Sequence, residues 1–580
     1  MYKPPTNDYE FLLRQVFDGQ HTLDLARGGD LTLDDAIGVL GYAGQLAAEL
    51  IAPLDAIGDT AGSRLADGRV SSPPGFADAY KIFAENGWVG LSASEEYGGG
   101  GMPLSVANAA NEFFSAANAA FSMCPGLSQG AIAACEAVAD DALKRIYLEP
   151  LVSGRWTGTM DMTEPQAGTD LAAIRTVARA QGDGTWAVTG QKIFISWGDH
   201  DLAENIIHLV LARTPDAPAG LGGLSLFLVP KFIPRENGEL GERNAIETVS
   251  IEHKLGIRAS PTCVLDYAGA TGYLLGELKR GLQGMFVMMN AERLGIGVQA
   301  VGIADRAYQK ALAYAEERIQ GRVTGRPDSA PIAEHPDVRR LLVSMRSTIS
   351  AMRALCLQVS TWLDRGQVAG SSSEYALAEF FVPITKGWCT ETCVQIASDA
   401  VQVHGGMGFI EETGIAQHYR DARIVPIYEG TTAAHANDLV GRKLLRDNGS
   451  LAADVLDLIA ESAALLPADD PVAHRLADRL ETAIGHARTS TQALVEHGNN
   501  SRDALAVAVP YLMQFGTIAG GWMHARLVTA TLANPNAVGA ELQQRLIDAD
   551  FYGAHQLSKA ASFTEIIRAG EIGVGLVPAA

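Results

Sequence analysis

At 580 residues, with 47% hydrophobic and 19% charged residues, the chain has a globular composition. At roughly 100–200 residues per domain, its length predicts about three or four units. Its 45 Lys plus Arg against 67 Asp plus Glu leave a net charge of -22, which repels polyphosphate backbones and argues against nucleic acid. The opening "MYKPPTNDYEFLL" lacks the basic end and unbroken apolar core of a secretory signal and the Arg-rich character of a transit peptide. Six cysteines, at 124, 135, 263, 356, 389 and 393, form no CxxC pair. They read as buried thiols of a reducing, cytoplasmic protein with no metal site.

In chain order, residues 1–155 read as helical, with apolar positions recurring at three and four in "LDDAIGVLGYAGQLAAELIAPLDAIG" and "LSVANAANEFFSAANAAF". From 156 to about 280 the period falls to two in "TWAVTGQKIFIS", "NIIHLVLAR" and "GLSLFLVPKF", which predicts a strand-rich domain. Helical periodicity returns over 281–445. After the "RDNGS" break, 446–580 predicts a further all-helical domain, with patterns at 451–465, 471–497, 502–532 and 539–568. Strands gathered in one block, with no GxGxxG after a strand and no GxxxxGK[ST], exclude a doubly wound parallel sheet and a P-loop. The fold class is multi-domain α+β. Residues 505–525 carry no fixed charge and approach the ~20 residues of a membrane span, but Pro510, Gln514, Gly516, Gly520, Gly521 and His524 dilute them. A helix buried in a bundle is expected there, without integral membrane association.

Two stretches carry chemistry. In "MDMTEPQAGTDLAAIRT" (160–176), Thr163, Gly168 and Thr169 make a loop of small polar residues with main-chain amides suited to a heterocycle edge or a pyrophosphate; a plain turn is the alternative. In "GQKIFISWG", Phe194 and Ser196 fall on one strand face. They place an aromatic wall beside a hydroxyl, or else a core Phe beside an incidental Ser.

The segments "MTEPQAGTD", "GQKIFIS", "HKLGIRASPT", "QVHGGMGF" and "RDARIVPIYEGT" occur in the order and approximate spacing of the acyl-CoA dehydrogenase flavoenzymes. The chain resembles that family over roughly residues 75 to 445. The region after 445 is similar to a longer bacterial subgroup that includes 3-methylmercaptopropionyl-CoA and broad-range fatty acyl-CoA dehydrogenases. The resemblance implies an N-terminal helical domain, a central β domain and a helical bundle, with the extra helical domain appended. It also implies FAD as cofactor, an acyl-CoA substrate, electron-transfer flavoprotein as partner, a role in fatty acid β-oxidation and a homodimer. By position, Thr163, Gly168, Thr169 and Ser196 would meet the flavin and its pyrophosphate, and Phe194 replaces a tryptophan beside the flavin. Arg318 would meet the diphosphate, while Gln402, Gly405 and Gly406 would reach the adenine half from the neighbouring subunit. Thr431 would contact FAD, and Arg293 the acyl-CoA. The segment "IQGRVTGRPDSAPIAEHPDVRR" departs from the family pattern, with His335 near the place of a usual Gln.

Glu429 of "YEGT" is the implied catalytic base, taking the α-proton of the thioester while flavin N5 accepts the β-hydride. A carboxylate of pKa about 4.3 in water is weak for this task, and burial with bound substrate strengthens it. Gly430 leaves the backbone open to the substrate. Glu292 in "NAERLGIG" is a rival, standing where some family members carry the base. A helix N-terminal carboxylate favoured by the helix dipole is the structural reading of Glu429. Two alternative functions are an acyl-CoA oxidase, with oxygen taking the electrons, and a flavin-bearing, DNA-associated homologue without dehydrogenase activity.

Overall fold

A computed structural model describes residues 1–235, 237–325, 328–368, 372–498, 501–534 and 539–572. Packing separates Ala43–Gly295, together with Met1, from a second unit made of Tyr2–Tyr42 and Ile296–Ala580. The divisions expected at 155, 280 and 445 follow changes of secondary structure, and packing divides the chain elsewhere. One helix begins in the first unit and continues into the second.

In the unit around residues 43–295, several helices precede the strands, among them α1 (Leu104–Ala117), α2 (Ala119–Val138) and α3 (Asp141–Val152). Asn118 starts α2 by accepting from the Phe121 N–H at 3.0 Å, and Asp140 starts α3 by accepting from Leu143 at 2.9 Å, each satisfying an otherwise orphaned amide. The helical expectation for 1–155 misses a small hairpin, Arg64–Ala66 against Arg69–Ser71. Its turn is Asp67-Gly68, both at positive φ (50° and 69°), as a two-residue hairpin turn requires.

One sheet of seven strands follows: β1 (Trp156–Asp161), β2 (Val177–Ala180), β3 (Trp186–Ser196), β4 (Asn205–Arg213), β5 (Leu224–Pro230), β6 (Ile246–Ile251) and β7 (Thr262–Leu275). They hydrogen-bond in the order β6-β7-β3-β2-β4-β1, and β5 bridges β7 to β4. The ring β7-β3-β2-β4-β5 therefore closes on itself, which removes unpaired edges from those strands. Inward residues such as Val188, Ile195, Val210, Phe227, Val229 and Leu265 fill it. β1 lies against α2, where a Cβ on Gly158 would stand 2.3 Å from the Ala131 methyl, so only glycine permits the approach.

The second unit is helical. It contains most of α4 (Gly281–Glu317), then α5 (Pro336–Val368), α6 (Ser372–His404), α7 (Ile415–Ala422), α8 (Thr432–Asp438), α9 (Ser450–Ala464), α10 (Pro471–His497), α11 (Ala508–Ala533), α12 (Ala540–His555) and α13 (Ala560–Ala569). Helix α11 contains most of the uncharged run at 505–525 and is buried along most of its length, as expected. The polar residues that dilute the run bond inside the bundle. Gln514 donates to the Ala560 carbonyl at 2.9 Å, and His524 Nε2 donates to the Ser347 carbonyl at 2.9 Å. Burial holds His524 neutral by pushing its pKa down to about 4. Its glycines accept neighbouring side chains, with Trp388 over Gly516 and the Tyr552 hydroxyl over Gly520.

A different segment, Leu33–Ala61, is long and apolar enough to cross a membrane by length and composition, with 28% of its most apolar window buried. Asp34, Asp35, Gln45 and Glu49 are exposed along it.

A Cβ on Gly516 would sit 2.1 Å from Trp388 Cγ, whereas nothing lies within 4 Å of that position at Gly485, exposed on α10. Gly516→Val is expected to destabilise by about 1–3 kcal/mol through overpacking, and Gly485→Ala to stabilise by about 0.5–1 kcal/mol through its smaller entropy loss. Thermal unfolding of the two variants in parallel checks both signs.

Candidate active site

The loop that leaves β1 is organised from beneath. Glu164 is 3% exposed and accepts from five donors: the Thr176 N–H (3.0 Å) and hydroxyl (2.6 Å), Lys192 Nζ (2.9 Å), the Arg175 N–H (2.7 Å) and Gln166 Nε2 (2.6 Å). Lys192, fully buried in β3, also donates to the Met162 carbonyl at 2.9 Å, and the Ile193 N–H donates to the Thr163 carbonyl at 2.9 Å. Burial opposes the Glu164 charge, but Lys192 and the surrounding donors overcome it and hold the carboxyl at about 2. Burial draws the Lys192 ammonium below its ordinary range, with Glu164 pulling the other way. Because the polar groups beneath are satisfied, Thr163 is half-buried and Gly168 and Thr169 face outward.

Phe194 and Ser196 lie on β3 beside this loop. Phe194 is 58% exposed, Ile195 is 1% exposed, and Ser196 is half-buried, in keeping with alternation across a strand. Strand periodicity does not reveal the bulge here. Ile195 pairs with Cys263 and Lys192 with Leu265, so Ile193 and Phe194 oppose the single residue Val264. Phe194 accordingly takes φ +59°, which bends the strand and re-aims the ring.

In the second unit, Glu429 occupies the short link between α7 and α8, half-buried and with its Oε1 shielded from solvent. Its φ is +53° and that of Gly430 is +93°, a left-handed pair that costs a non-glycine residue roughly 1–2 kcal/mol. The link is tied at several points. His435 Nε2 donates to the Glu429 carbonyl at 3.1 Å, and Lys386 Nζ, fully buried on α6, donates to the Gly430 carbonyl at 2.6 Å. The Thr432 N–H donates to the Pro426 carbonyl at 3.1 Å, and the Thr432 hydroxyl to Glu391 at 2.6 Å. The Tyr428 hydroxyl donates to Gln299. Gly430 and Thr431 are exposed beside the carboxylate, and the Thr431 hydroxyl does not cap α8. The dipole of such a short helix does not explain why Glu429 itself, three residues before it, is held in a strained conformation.

Arg318 and the Gln402 loop lie together. Tyr314, one turn before Arg318, stacks on His404 with ring centroids 4.3 Å apart. Arg318 is exposed, and a guanidinium nitrogen donates to Gln320 at 3.4 Å. Gln402, Gly405 and Gly406 are exposed next to Met407 (50%) and Phe409 (89%). From Lys386, which holds the Glu429 link, to Gln402 is about 24 Å along α6 at 1.5 Å per residue. These two groups are therefore distinct places in the unit. The divergent segment after Arg318 forms a hairpin, Ile319–Arg322 against Ser329–Pro331. His335 Nε2 donates there to the Gln320 carbonyl at 2.7 Å, and Arg326 and Pro327 lie outside the described residues.

Arg293 and Glu292 belong to the first unit with Thr163 and Ser196. Arg293 donates to Asn290 at 3.3 Å, and the Glu292 Oε1 stands 2.9 Å from where a Gly130 Cβ would be. The first unit thus offers a flat aromatic ring at a bulge, with hydroxyls from Thr163 and Ser196 and an outward glycine loop nearby. This set fits the apolar face and polar edge of a flavin.

Family models for the acyl-CoA dehydrogenase N-terminal, middle and C-terminal domains match residues 65–155, 159–269 and 279–444, and an acetyl-CoA dehydrogenase C-terminal-like model matches 451–574. The chain belongs to the acyl-CoA dehydrogenase family. It is 48% identical over 96% of both chains to 3-methylmercaptopropionyl-CoA dehydrogenase of Ruegeria pomeroyi. It is 33% identical to the broad-specificity linear acyl-CoA dehydrogenase FadE5 of Mycobacterium tuberculosis, over 98% of this chain and 97% of that one. An acyl-CoA dehydrogenase of Bacillus anthracis, solved with FAD, superposes at TM-score 0.73 with 20% identity, covering 98% of this chain and 92% of that one. The protein is an FAD-dependent oxidoreductase that dehydrogenates acyl-CoA.

Sequence reasoning did not single out Glu164, Lys192, Lys386 or His435. A signal existed for Lys192, a lone charge at an inward position of the apolar strand "QKIFIS". None existed for Lys386, since its partner lies 44 residues away.

The low Glu164 pKa has a definite sign. The folded value of about 2 lies below the ordinary 4.5, so its stabilisation is present above about pH 4.5 and is lost as pH falls toward 2. The contribution is on the order of 3 kcal/mol, at 1.36 kcal/mol per pKa unit. Glu164→Gln, which leaves the Lys192 charge buried opposite a neutral amide, is expected to melt lower at pH 7. The gap from wild type should narrow as pH falls below 4.5. Unfolding curves of both proteins from pH 7 to pH 3 test this.

Proposed function

We propose that Glu429 is the base that removes the α-proton of the acyl-CoA thioester. The observation that carries this reading is a half-buried carboxylate on a backbone held left-handed, with Gly430 and Thr431 exposed at its side. A structural carboxylate would gain nothing from that strain, and strained conformations cluster where a side chain must be presented at a particular angle. FAD, when bound, would supply the hydride acceptor for the β-carbon. Within the first unit, Phe194, Thr163, Ser196, Gly168 and Thr169 would hold the flavin end of the cofactor. Arg318 would meet its diphosphate, and Gln402, Gly405, Gly406 and Thr431 would supply further contacts. Gly430 would let substrate approach the main chain, and Arg293 would contact the acyl-CoA. The exclusion of water by bound substrate would strengthen Glu429 as a base, and positioned hydrogen bonds to the thioester oxygen would stabilise the developing negative charge.

The substrate proposed is a short linear acyl-CoA that includes 3-methylmercaptopropionyl-CoA. The likeness to the Ruegeria enzyme, at 48% identity over 96% of both chains, supports this. Electron-transfer flavoprotein is the proposed acceptor, and the cytoplasm the proposed compartment, supported by six buried free thiols. A homodimer is proposed from the exposed apolar Met407, Phe409 and Ile410 beside Gln402, with a place in β-oxidation-type degradation. Exposed Asp34, Asp35 and Glu49 on the Leu33–Ala61 segment support action away from the bilayer interior.

Anaerobic bleaching of the flavin by a panel of acyl-CoAs from short to long tests the base and the chain length together. Glu429→Gln is expected to lower the bleaching rate by about 10²–10⁴-fold, the usual worth of a general base, with FAD retained. Glu292→Gln should stay within a few-fold of wild type. The reverse ranking would move the base to Glu292.

A further inference from the structure

We propose that Lys386 and His435 are positioning residues for Glu429, acting through two consecutive main-chain carbonyls. The inference rests on Glu429 being the base and names what aims it. Lys386 and His435 come from different helices, α6 and α8, and are 0% and 3% exposed. Each spends a buried donor on a carbonyl of the link, Lys386 on Gly430 and His435 on Glu429. Gly430 is exposed, so water is at hand for polar groups on that side. The buried donors therefore select a direction for these carbonyls rather than merely satisfying them.

The geometry follows from the planarity of the peptide unit. With the Glu429 carbonyl turned to His435, the Gly430 N–H must point the opposite way. With the Gly430 carbonyl turned to Lys386, the Thr431 N–H does likewise. Fixing both planes on either side of the Gly430 Cα sets that residue's φ and ψ and places the Glu429 Cα, which lies in the first plane; with the chain before it tied by the Tyr428 N–H donating to the Ile424 carbonyl at 3.2 Å, the side chain leaves from a held position. The same arrangement explains the glycine. A Cβ on residue 430 would lie 2.9 Å from His435 Nε2, and φ there is +93°, so a side chain would both strain the link and displace the imidazole. Because the Glu429 carbonyl oxygen only accepts, His435 carries a proton on Nε2. Glu429, Gly430, Lys386 and His435 are thus one interlocked device, whereas a simple helix cap would need neither consecutive carbonyl nor the left-handed pair.

The test uses the FAD-loaded full chain and the variants Lys386→Met, His435→Leu and His435→Gln, with Glu429→Gln beside them. Butyryl-CoA and 3-methylthiopropionyl-CoA are the probes. For Lys386→Met and His435→Leu, the limiting rate of anaerobic flavin bleaching is expected to fall about 10–100-fold, the scale on which small misplacements act. Half-saturation, FAD content and melting temperature should stay close to wild type. Amide exchange over residues 428–435 should accelerate in both variants. His435→Gln, which keeps an N–H donor, should recover most of the rate. If His435→Leu does not fold, Lys386→Met carries the same comparison.

Wild-type rates and wild-type amide protection in the folded variants would overturn the proposal. So would a loss of rate, half-saturation and FAD in proportion, which is what a general structural role produces. An inactive Glu429→Gln beside fully active Lys386 and His435 variants would remove the positioning role alone. A fully active Glu429→Gln would remove the base reading and, with it, this proposal.

Discussion

A buried polar group must be bonded, and a buried ammonium most of all. In this protein that constraint decides the shape of both loops that face the chemistry. Lys192 has no exposed surface and finds its partners in Glu164 and the Met162 carbonyl. Around that pair the chain from 162 to 176 is drawn into a compact loop, with Glu164 gathering the amides of Arg175 and Thr176. Once the inner side is satisfied, the outer side is left with Thr163, Gly168 and Thr169, the residue types a cofactor's polar edge can use. Lys386 plays the corresponding part in the other unit, where its bond to the Gly430 carbonyl holds the link between α7 and α8.

Strain is held differently in the two units. Beside the first loop, strand β3 carries one extra residue, and Phe194 moves into the left-handed region at φ +59°. The closed ring of strands holds that deviation in place, since pairing with β7 resumes on both sides of it, Ile195 with Cys263 and Lys192 with Leu265. In the second there is no sheet to absorb strain, and consecutive left-handed residues persist through buried donors from α6 and α8. In both places, backbone conformations that an isolated peptide would leave are over-determined by tertiary contacts.

The helical region beyond residue 450 applies the same rule to a different end. Gln514 and His524 interrupt the uncharged run at 505–525, and each is bonded inside the bundle. The glycines at 516, 520 and 521 are filled by Trp388, Tyr552 and Leu557. What looks in composition like a diluted membrane span is the packing record of a central helix: small residues where large neighbours enter, polar residues where a partner's carbonyl or hydroxyl is in reach. The Leu33–Ala61 segment carries less of that record: nothing lies within 4 Å of a Cβ on Gly38 or Gly41, and 28% of its most apolar window is buried.

Much of this was legible in the residues alone. The change of period at 156 and again near 280 marked the strand block, because a pleated strand and a helix impose different spacings on the same apolar residues. The motifs around Thr163, Ser196, Gln402 and Glu429 made the family legible because they are short stretches that can be read without knowing how the chain packs. The hairpin at 64–71 went unread although Asp67-Gly68 signals it, since a dipeptide in a helical neighbourhood competes poorly with long periodic patterns. Covalent neighbours thus determined which residues are candidates for the chemistry: the carboxylate of Glu429, the hydroxyls of Thr163 and Ser196, the glycine at 430. Only the tertiary structure decided how they are aimed. The bulge at Phe194 depends on the register against β7, and the set of the Glu429 and Gly430 carbonyls depends on His435 of α8 and on Lys386, forty-four residues before Gly430 in the chain. Hydrogen bonds between residues far apart in sequence leave no periodicity to read, because their geometry exists only after the elements have packed.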